Sequence, residues 1–240
     1  MTREEARRKI IFALDVNDMA AIDHWSALLA SRVGMFKIGK QLFTATGPAA
    51  VKQVQDNGGE VFLDLKYHDI PNTVAMATLA AARLGVELVN LHALGGYEMM
   101  ATTMAALDKE FKGGERPKVL AVTILTSSTA ETLRGVGIEQ PVADMVVGLA
   151  KLAKSAGIDG VVASPQEVGL IREACGPEFL VVTPGVRPHF AAADDQKRIM
   201  TPGEAVAAGA DYLVIGRPIA AAADPVKAAE MIIDEIAAIG

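Results

Sequence analysis

The strongest constraint on this chain is an alternation: eight short apolar or β-branched runs are separated by longer segments of helical period. The strand-like runs cover residues 10–15, 35–39, 60–66, 88–92, 119–123, 160–164, 179–183 and 212–216. The helix-like segments cover 19–32, 49–57, 71–84, 97–110, 142–156, 165–174, 202–208 and 225–238. Several of these open with proline, whose missing N–H costs nothing in a first turn. Several stop at glycine, as at Gly85, Gly157 and Gly209. The strands read as near-continuous apolar runs, the pattern of strands covered on both faces. Eight strand–helix units in 240 residues predict one domain spanning residues 1–240, a closed parallel (β/α)8 TIM barrel, with a doubly wound sheet as the alternative. No linker, low-complexity tract or repeat beyond the alternation interrupts it. Two connections are long, 126–141 and 185–201, and long loops on this side of a barrel often serve as lids.

Composition narrows the partners. Hydrophobic residues make up 51% of the chain, yet no apolar run approaches the roughly 18 residues of a membrane span. The start, Met1-Thr2-Arg3-Glu4-Glu5, lacks the apolar middle of a signal peptide, so the expected location is cytoplasmic. Cys175 is the one cysteine, which excludes an intrachain disulfide and a multi-cysteine metal site. A formal net charge of −6 argues against a nucleic-acid partner, though not against a small anion held by a few gathered cations. The basic stretch 112–118 contains Gly-Gly and Pro and reads as a solvated loop.

Polar residues collect where the strands end, the face on which barrel enzymes carry their active sites. Asp15 ends the first strand, Lys37 lies on the second, Asp64 and Lys66 end the third, and Asn90 and His92 end the fourth. Thr123 ends the fifth, with Thr126 and Ser127 beyond; Thr183-Pro184-Gly185-Val186-Arg187 follows the seventh and Gly216-Arg217 the eighth. Residues two apart on a strand share a face, so Asp64 and Lys66 are expected to point to the barrel axis and Leu65 outward. A lysine flanked by carboxylates (Asp64 and, in the following turn, Asp69) keeps its proton, which suits a general acid and disfavours a Schiff base. A buried salt-bridge network that braces the barrel is the structural alternative. The two Gly/Arg pairs, Gly185 with Arg187 and Gly216 with Arg217, lie in the loops where many barrels bind phosphate, with Gln196 as a further donor from the long seventh loop.

Other polar groups read as structural. His92 is expected to be a satisfied histidine at the barrel mouth, His68 a packing or interface residue, and His24 and His189 surface groups. Cys175 has no histidine partner in view, and Met99-Met100 reads as core.

The segment Phe62-Leu63-Asp64-Leu65-Lys66-Tyr67-His68-Asp69-Ile70-Pro71-Asn72-Thr73 resembles the signature of the orotidine 5′-phosphate decarboxylase family. The resemblance extends over nearly the whole chain, through Ala13-Leu14-Asp15, Lys37-Ile38-Gly39, Leu125-Thr126-Ser127, Thr183 to Arg187, and Ile215-Gly216-Arg217. It implies decarboxylation of orotidine 5′-monophosphate to UMP without cofactor or metal, by a homodimer with shared active sites. Lys66 would protonate C6 of the pyrimidine, beside Asp64. Asp69 and Thr73 would reach into the partner's site, completing a Lys37–Asp64–Lys66–Asp69 array. Asp15 and Lys37 would contact the ribose, and Thr126 and Ser127 the pyrimidine. Gln196, Gly216 and Arg217 would grip the phosphate, with Pro184 and Arg187 on the same side of the substrate.

Two other functions are consistent with a barrel of this kind. A Mg²⁺-dependent sugar-phosphate decarboxylase or aldolase shares the Asp-x-Lys-x-x-Asp motif, but Lys37 stands where its resemblance implies an acidic residue, and an ammonium there repels the metal. A non-catalytic barrel that senses a nucleotide would have no use for Lys66.

Overall fold

The computed structural model describes residues 1–191 and 200–239. Eight parallel strands close into a barrel in chain order, each hydrogen-bonded to the next and β8 to β1. They are β1 (Ile10–Leu14), β2 (Met35–Gly39), β3 (Glu60–Tyr67), β4 (Leu88–His92), β5 (Lys118–Val122), β6 (Gly160–Val162), β7 (Leu180–Pro184) and β8 (Tyr212–Ile215). The helices around them include α1 (Arg3–Arg8), α2 (Met19–Leu29), α3 (Lys40–Thr46), α4 (Ala49–Asp56), α5 (Pro71–Ala82) and α6 (Gly96–Glu110). They continue with α7 (Ala130–Arg134), α8 (Val142–Ser155), α9 (Val168–Cys175), α10 (Pro202–Ala207), α11 (Arg217–Ala220) and α12 (Pro225–Ala237). The architecture is the TIM barrel expected from the alternation. Among the described residues no helix is long and apolar enough to cross a membrane.

Side-chain alternation along the strands builds two cores. Ile11, Met35, Phe62, Leu88, Leu120 and Val182 fill the barrel interior, with Tyr212 and Val214 packed against them. Their strand neighbours, among them Phe12, Phe36, Leu63, Val89, Val119 and Val181, face outward into the layer shared with the helices. The inward series changes character toward the strand ends. Ile11 gives way to Ala13, Met35 to Lys37, Phe62 to Asp64, and Leu88 to Asn90. On β7 and β8 the same positions stay apolar or small, with Pro184 and Gly216. One half of the mouth, under β1 to β4, therefore carries the polar groups.

Several strand ends fall short of the expected bounds. β5 stops at Val122, and Thr123 is buried with its hydroxyl donating to the Val162 carbonyl at 3.1 Å. β6 stops at Val162, because Ser164 caps the short helical turn Pro165–Glu167. Thr183 is also buried and turned outward by the alternation, and its hydroxyl has no partner among the described residues. Thr123 and Thr183 thus belong to the barrel wall, not to its mouth.

Candidate active site

β3 carries the centre of the site. Asp64 is buried, and its Oδ1 accepts from Lys66 Nζ at 2.5 Å and from Asn90 Nδ2 at 2.7 Å. Its other oxygen, Oδ2, lies 3.6 Å from Lys37 Nζ, which in turn lies 3.5 Å from Asp15 Oδ1. The expected Asp15, Lys37, Asp64 and Lys66 therefore form one continuous chain of alternating charge within the subunit. Burial alone would push the Asp64 carboxyl up. The Lys66 and Lys37 charges, with hydrogen bonds from Lys66 and Asn90, outweigh burial and hold it below its usual value. Both neighbours favour its charged form.

The strand is not regular where Lys66 lies. Lys66 has φ +52°, the left-handed region, and the pairing of β3 with β4 shifts register between Leu63 and Tyr67. For a residue with a Cβ this conformation costs on the order of 1–3 kcal/mol, so surrounding contacts must enforce it. Asn90 supplies one: its side-chain oxygen accepts from the Lys66 backbone N–H at 2.8 Å while its amide donates to Asp64. Simple alternation placed Lys66 on the Asp64 face, and the irregularity brings its ammonium directly onto that carboxylate. The signal for Asn90 was present as an amide inside the apolar run Leu88-Val89-Asn90-Leu91-His92, but its role needed the register between two strands.

A cavity of about 210 Å³ opens above this array, lined by Asp15, Lys37, Lys40, Gln41, Asp64 and Lys66, together with apolar groups of β1 and α3. Two glycines allow close approaches beside it. A Cβ on Gly39 would lie 3.3 Å from Lys37 Nζ, and one on Gly216 would lie 3.1 Å from the Ala13 Cβ and 3.5 Å from Asp15 Oδ2. Gly216 thus brings the end of β8 against Asp15. Arg217 follows as the exposed first residue of α11. Arg187 is half-buried, and its backbone N–H donates to the Met200 carbonyl at 3.1 Å, joining the two sides of the seventh loop. Pro184 ends β7. Thr126 and Ser127 are exposed in the fifth loop, which carries the short helix α7. Gln196 lies outside the described residues.

Asp69 and Thr73 stand apart from the array. Both are exposed, at the turn before α5 and in its first turn. The Asp69 carboxylate accepts from the Ile70 N–H at 2.6 Å, and among the described residues it has no ion pair. His68 and His92 stack loosely, ring centroids 5.6 Å apart. Burial, followed by the charges of His68, Lys40 and Lys66, holds His92 well below its usual value, at about 4. Among the described residues no group of three or more His, Cys, Asp or Glu side chains could hold a metal ion.

With this geometry, residues 8–232 match the model of the orotidine 5′-phosphate decarboxylase / HUMPS family. The chain is 74% identical over 238 residues to an orotidine 5′-phosphate decarboxylase of Geobacter sulfurreducens, covering 99% of this chain and 100% of the relative. It is 73% identical over 239 residues to the protein of the same name from Geotalea uraniireducens, covering 100% and 99%. Among solved structures, the orotidine 5′-phosphate decarboxylase of Lactobacillus acidophilus superposes with a TM-score of 0.84 at 39% identity, covering 95% of this chain and 99% of that one.

Proposed function

Since this chain belongs to the orotidine 5′-phosphate decarboxylase family and has that family's activity, converting orotidine 5′-monophosphate to UMP and carbon dioxide, we propose how its residues divide the work. Lys66 is the proton donor in a Lys37–Asp64–Lys66 array, and Asp69 of a second subunit completes that array. The observation that carries the reading is the Lys66 ammonium, 2.5 Å from Asp64 and lining the cavity.

The reaction leaves an electron pair on C6 of the pyrimidine as the bond to the departing carbon dioxide breaks. A fixed ammonium at that position stabilises the developing charge without any reorganisation. One Lys66 N–H then passes its proton to C6, and the neutral amine recovers a proton from water. Asp64 holds the Lys66 ammonium in place through their ion pair, and it sets a negative charge beside the substrate carboxylate. No cofactor or metal is required by this scheme. Asp15 and Lys37 hold the ribose, and Thr126 and Ser127 the pyrimidine. Gln196, Gly216 and Arg217 hold the phosphate, with Pro184 and Arg187 on the same side. Binding energy from that remote phosphate is available for orienting the reacting carboxylate.

The dimer follows from the position of Asp69 and Thr73. They project beside exposed apolar side chains, Ile70 and Met76 on the α5 side and Leu94 and Tyr97 at the start of α6. The two segments adjoin, since His68 meets His92 and lies against Gly95. An apolar patch around a carboxylate that has no ion pair among the described residues supports a two-fold interface that exchanges Asp69 and Thr73.

Mixing Lys66→Ala subunits with Asp69→Ala subunits tests both proposals. Each homodimer is expected to be nearly inactive. In the mixed dimer one site collects both lesions and the other neither, so turnover should recover toward half of wild type per heterodimer. No recovery, with subunit exchange shown independently, would place Asp69 in its own subunit's site.

A further inference from the structure

Among the described residues five charged side chains line the cavity, and four of them are tied to one another. Lys37 lies between Asp15 and Asp64, and Lys66 is on Asp64. The fifth is Lys40, the first residue of α3. It is exposed, and among the described residues no carboxylate lies within the 4.0 Å of an ion pair. Its charge is nonetheless felt across the mouth at His92 of β4. Within one subunit and among the described residues three lysines face two aspartates, and with Asp69 of a second subunit joining the Lys66 end as proposed above, Lys40 is still the lining lysine with no carboxylate at ion-pair distance.

An ammonium so placed matters because the chain's net charge has the same sign as the substrate's. The chain carries a formal charge of −6, and orotidine 5′-monophosphate carries a phosphate and a carboxylate. We propose that Lys40 is a capture residue for this reaction: its ammonium draws the anionic substrate into the cavity before the substrate meets the array, and takes no part in breaking the bond. Lys37 and Lys66 cannot do this at a distance, because their carboxylate partners cancel most of their outward field. An exposed charge is screened within about 8 Å at physiological salt, so the action is local to the mouth and sensitive to ionic strength. Electrostatic capture of this kind raises association rates by roughly 10- to 1,000-fold in charged clefts, and one charge belongs at the low end.

The inference rests on the cavity being the orotidine 5′-monophosphate site, so the experiment carries an arm for that reading. Wild type, Lys40→Gln, Lys40→Arg and Lys52→Gln are compared from low ionic strength to about 0.5 M salt, where the screening length falls to a few ångströms. Lys52 is exposed on α4, paired with Asp56 and outside the cavity lining. For Lys40→Gln, kcat/KM should fall about tenfold at low salt with kcat unchanged, and the deficit should close to within about twofold at high salt. Lys40→Arg and Lys52→Gln should follow wild type. A lowered kcat with a deficit that persists in high salt would overturn the proposal by making Lys40 a transition-state group. So would a Lys40→Gln variant indistinguishable from wild type, or an equal loss in Lys52→Gln. In parallel, a Lys66→Ala variant that still turned over normally would show that the site itself had been misplaced, whatever Lys40 did.

Discussion

The two rims of this barrel use the same pairing of basic and acidic side chains to opposite ends. At the N-terminal rim the most heavily bonded bases are two arginines. Arg116 grips Asp159 through two bonds of 2.6 and 3.2 Å and also reaches Asp108 and the Pro117 carbonyl. Arg172 pairs with Asp211 and donates to the carbonyls of Gly209, Phe179 and Pro177. Each aspartate then accepts a strand N–H, Val119 of β5 at 2.8 Å for Asp159 and Val181 of β7 at 2.7 Å for Asp211. Planar guanidinium forks and fixed carbonyls leave these groups little capacity for a ligand. In the array at the C-terminal rim the bases are lysines, which bring single compact charges and donors that can rotate. Lys37 and Lys66 share Asp64, and both keep N–H groups directed to an open cavity. Saturated pairs brace the barrel, while pairs with capacity to spare are left free to meet a ligand.

The largest test of this contrast is Lys66→Ala. Loss of a general acid and of a preorganised charge should lower kcat by on the order of 10³- to 10⁴-fold. Stability should change little, because Asp64 keeps Lys37 and Asn90 as partners. Steady-state assay beside thermal melting checks both halves. A melting point lowered by more than about 5 °C would mean that the upper array also braces the barrel.

Arg172→Ala is the reverse case. It strands Asp211 and several carbonyls in partly buried surroundings, which should cost about 2–3 kcal/mol, less than a fully buried pair because both side chains retain some exposure. For a chain of this size that corresponds to a fall in melting temperature of roughly 5–10 °C. kcat should stay within about twofold of wild type at a temperature where the variant is folded. Full stability with impaired turnover would erase the distinction between the rims.

How much of this contrast was legible in the sequence depends on the length scale of each signal. β2 and β4 fall on their expected bounds, and the helices of eleven or more residues were legible from their period and caps. The short helices α1, α3, α7 and α11 were not, since four to seven residues span at most two turns and give period too little room. With α3 not expected, Lys40 fell between the strand-like run 35–39 and the helix-like segment 49–57 and was not singled out. The residues of the array were legible as charges at strand ends, because charge is costly there without a purpose. Their connection was not: the left-handed Lys66 and the Asn90 clamp depend on register between β3 and β4, whose partners are 24 residues apart. Thr123 and Thr183 show the converse error, polar residues at strand ends whose parity turns them into the wall.

The smallest expected effect concerns His92 at the C-terminal rim, where burial and positive neighbours should be readable as a pH dependence of folding. His92 is half-buried and faces His68, Lys40 and Lys66, and among the described residues Asp64 is the acidic group that opposes them. Its value falls from the ordinary 6.5 to about 4 in the folded protein, chiefly through burial and then through those positive neighbours. The sign follows from proton uptake. Between these two values the unfolded chain binds a proton that the folded chain refuses. His92 therefore contributes nothing adverse above pH 6.5, and it costs stability progressively as pH falls toward 4. Because the ring is partly solvated the cost should be limited to about 1 kcal/mol. The lowered Asp64 carboxyl acts in a different window, since it loses its contribution only below its ordinary value of 3.8. Replacing His92 with Asn removes the titration and keeps a polar side chain at the mouth. Denaturant unfolding at pH 7 and pH 4.5 should show the variant losing less stability than wild type over that interval. Equal losses would mean that His92 accepts its proton in the folded state as readily as in the unfolded one. The charge at the mouth would then be better balanced than its lysines imply, and the difference between the rims would lie in geometry alone.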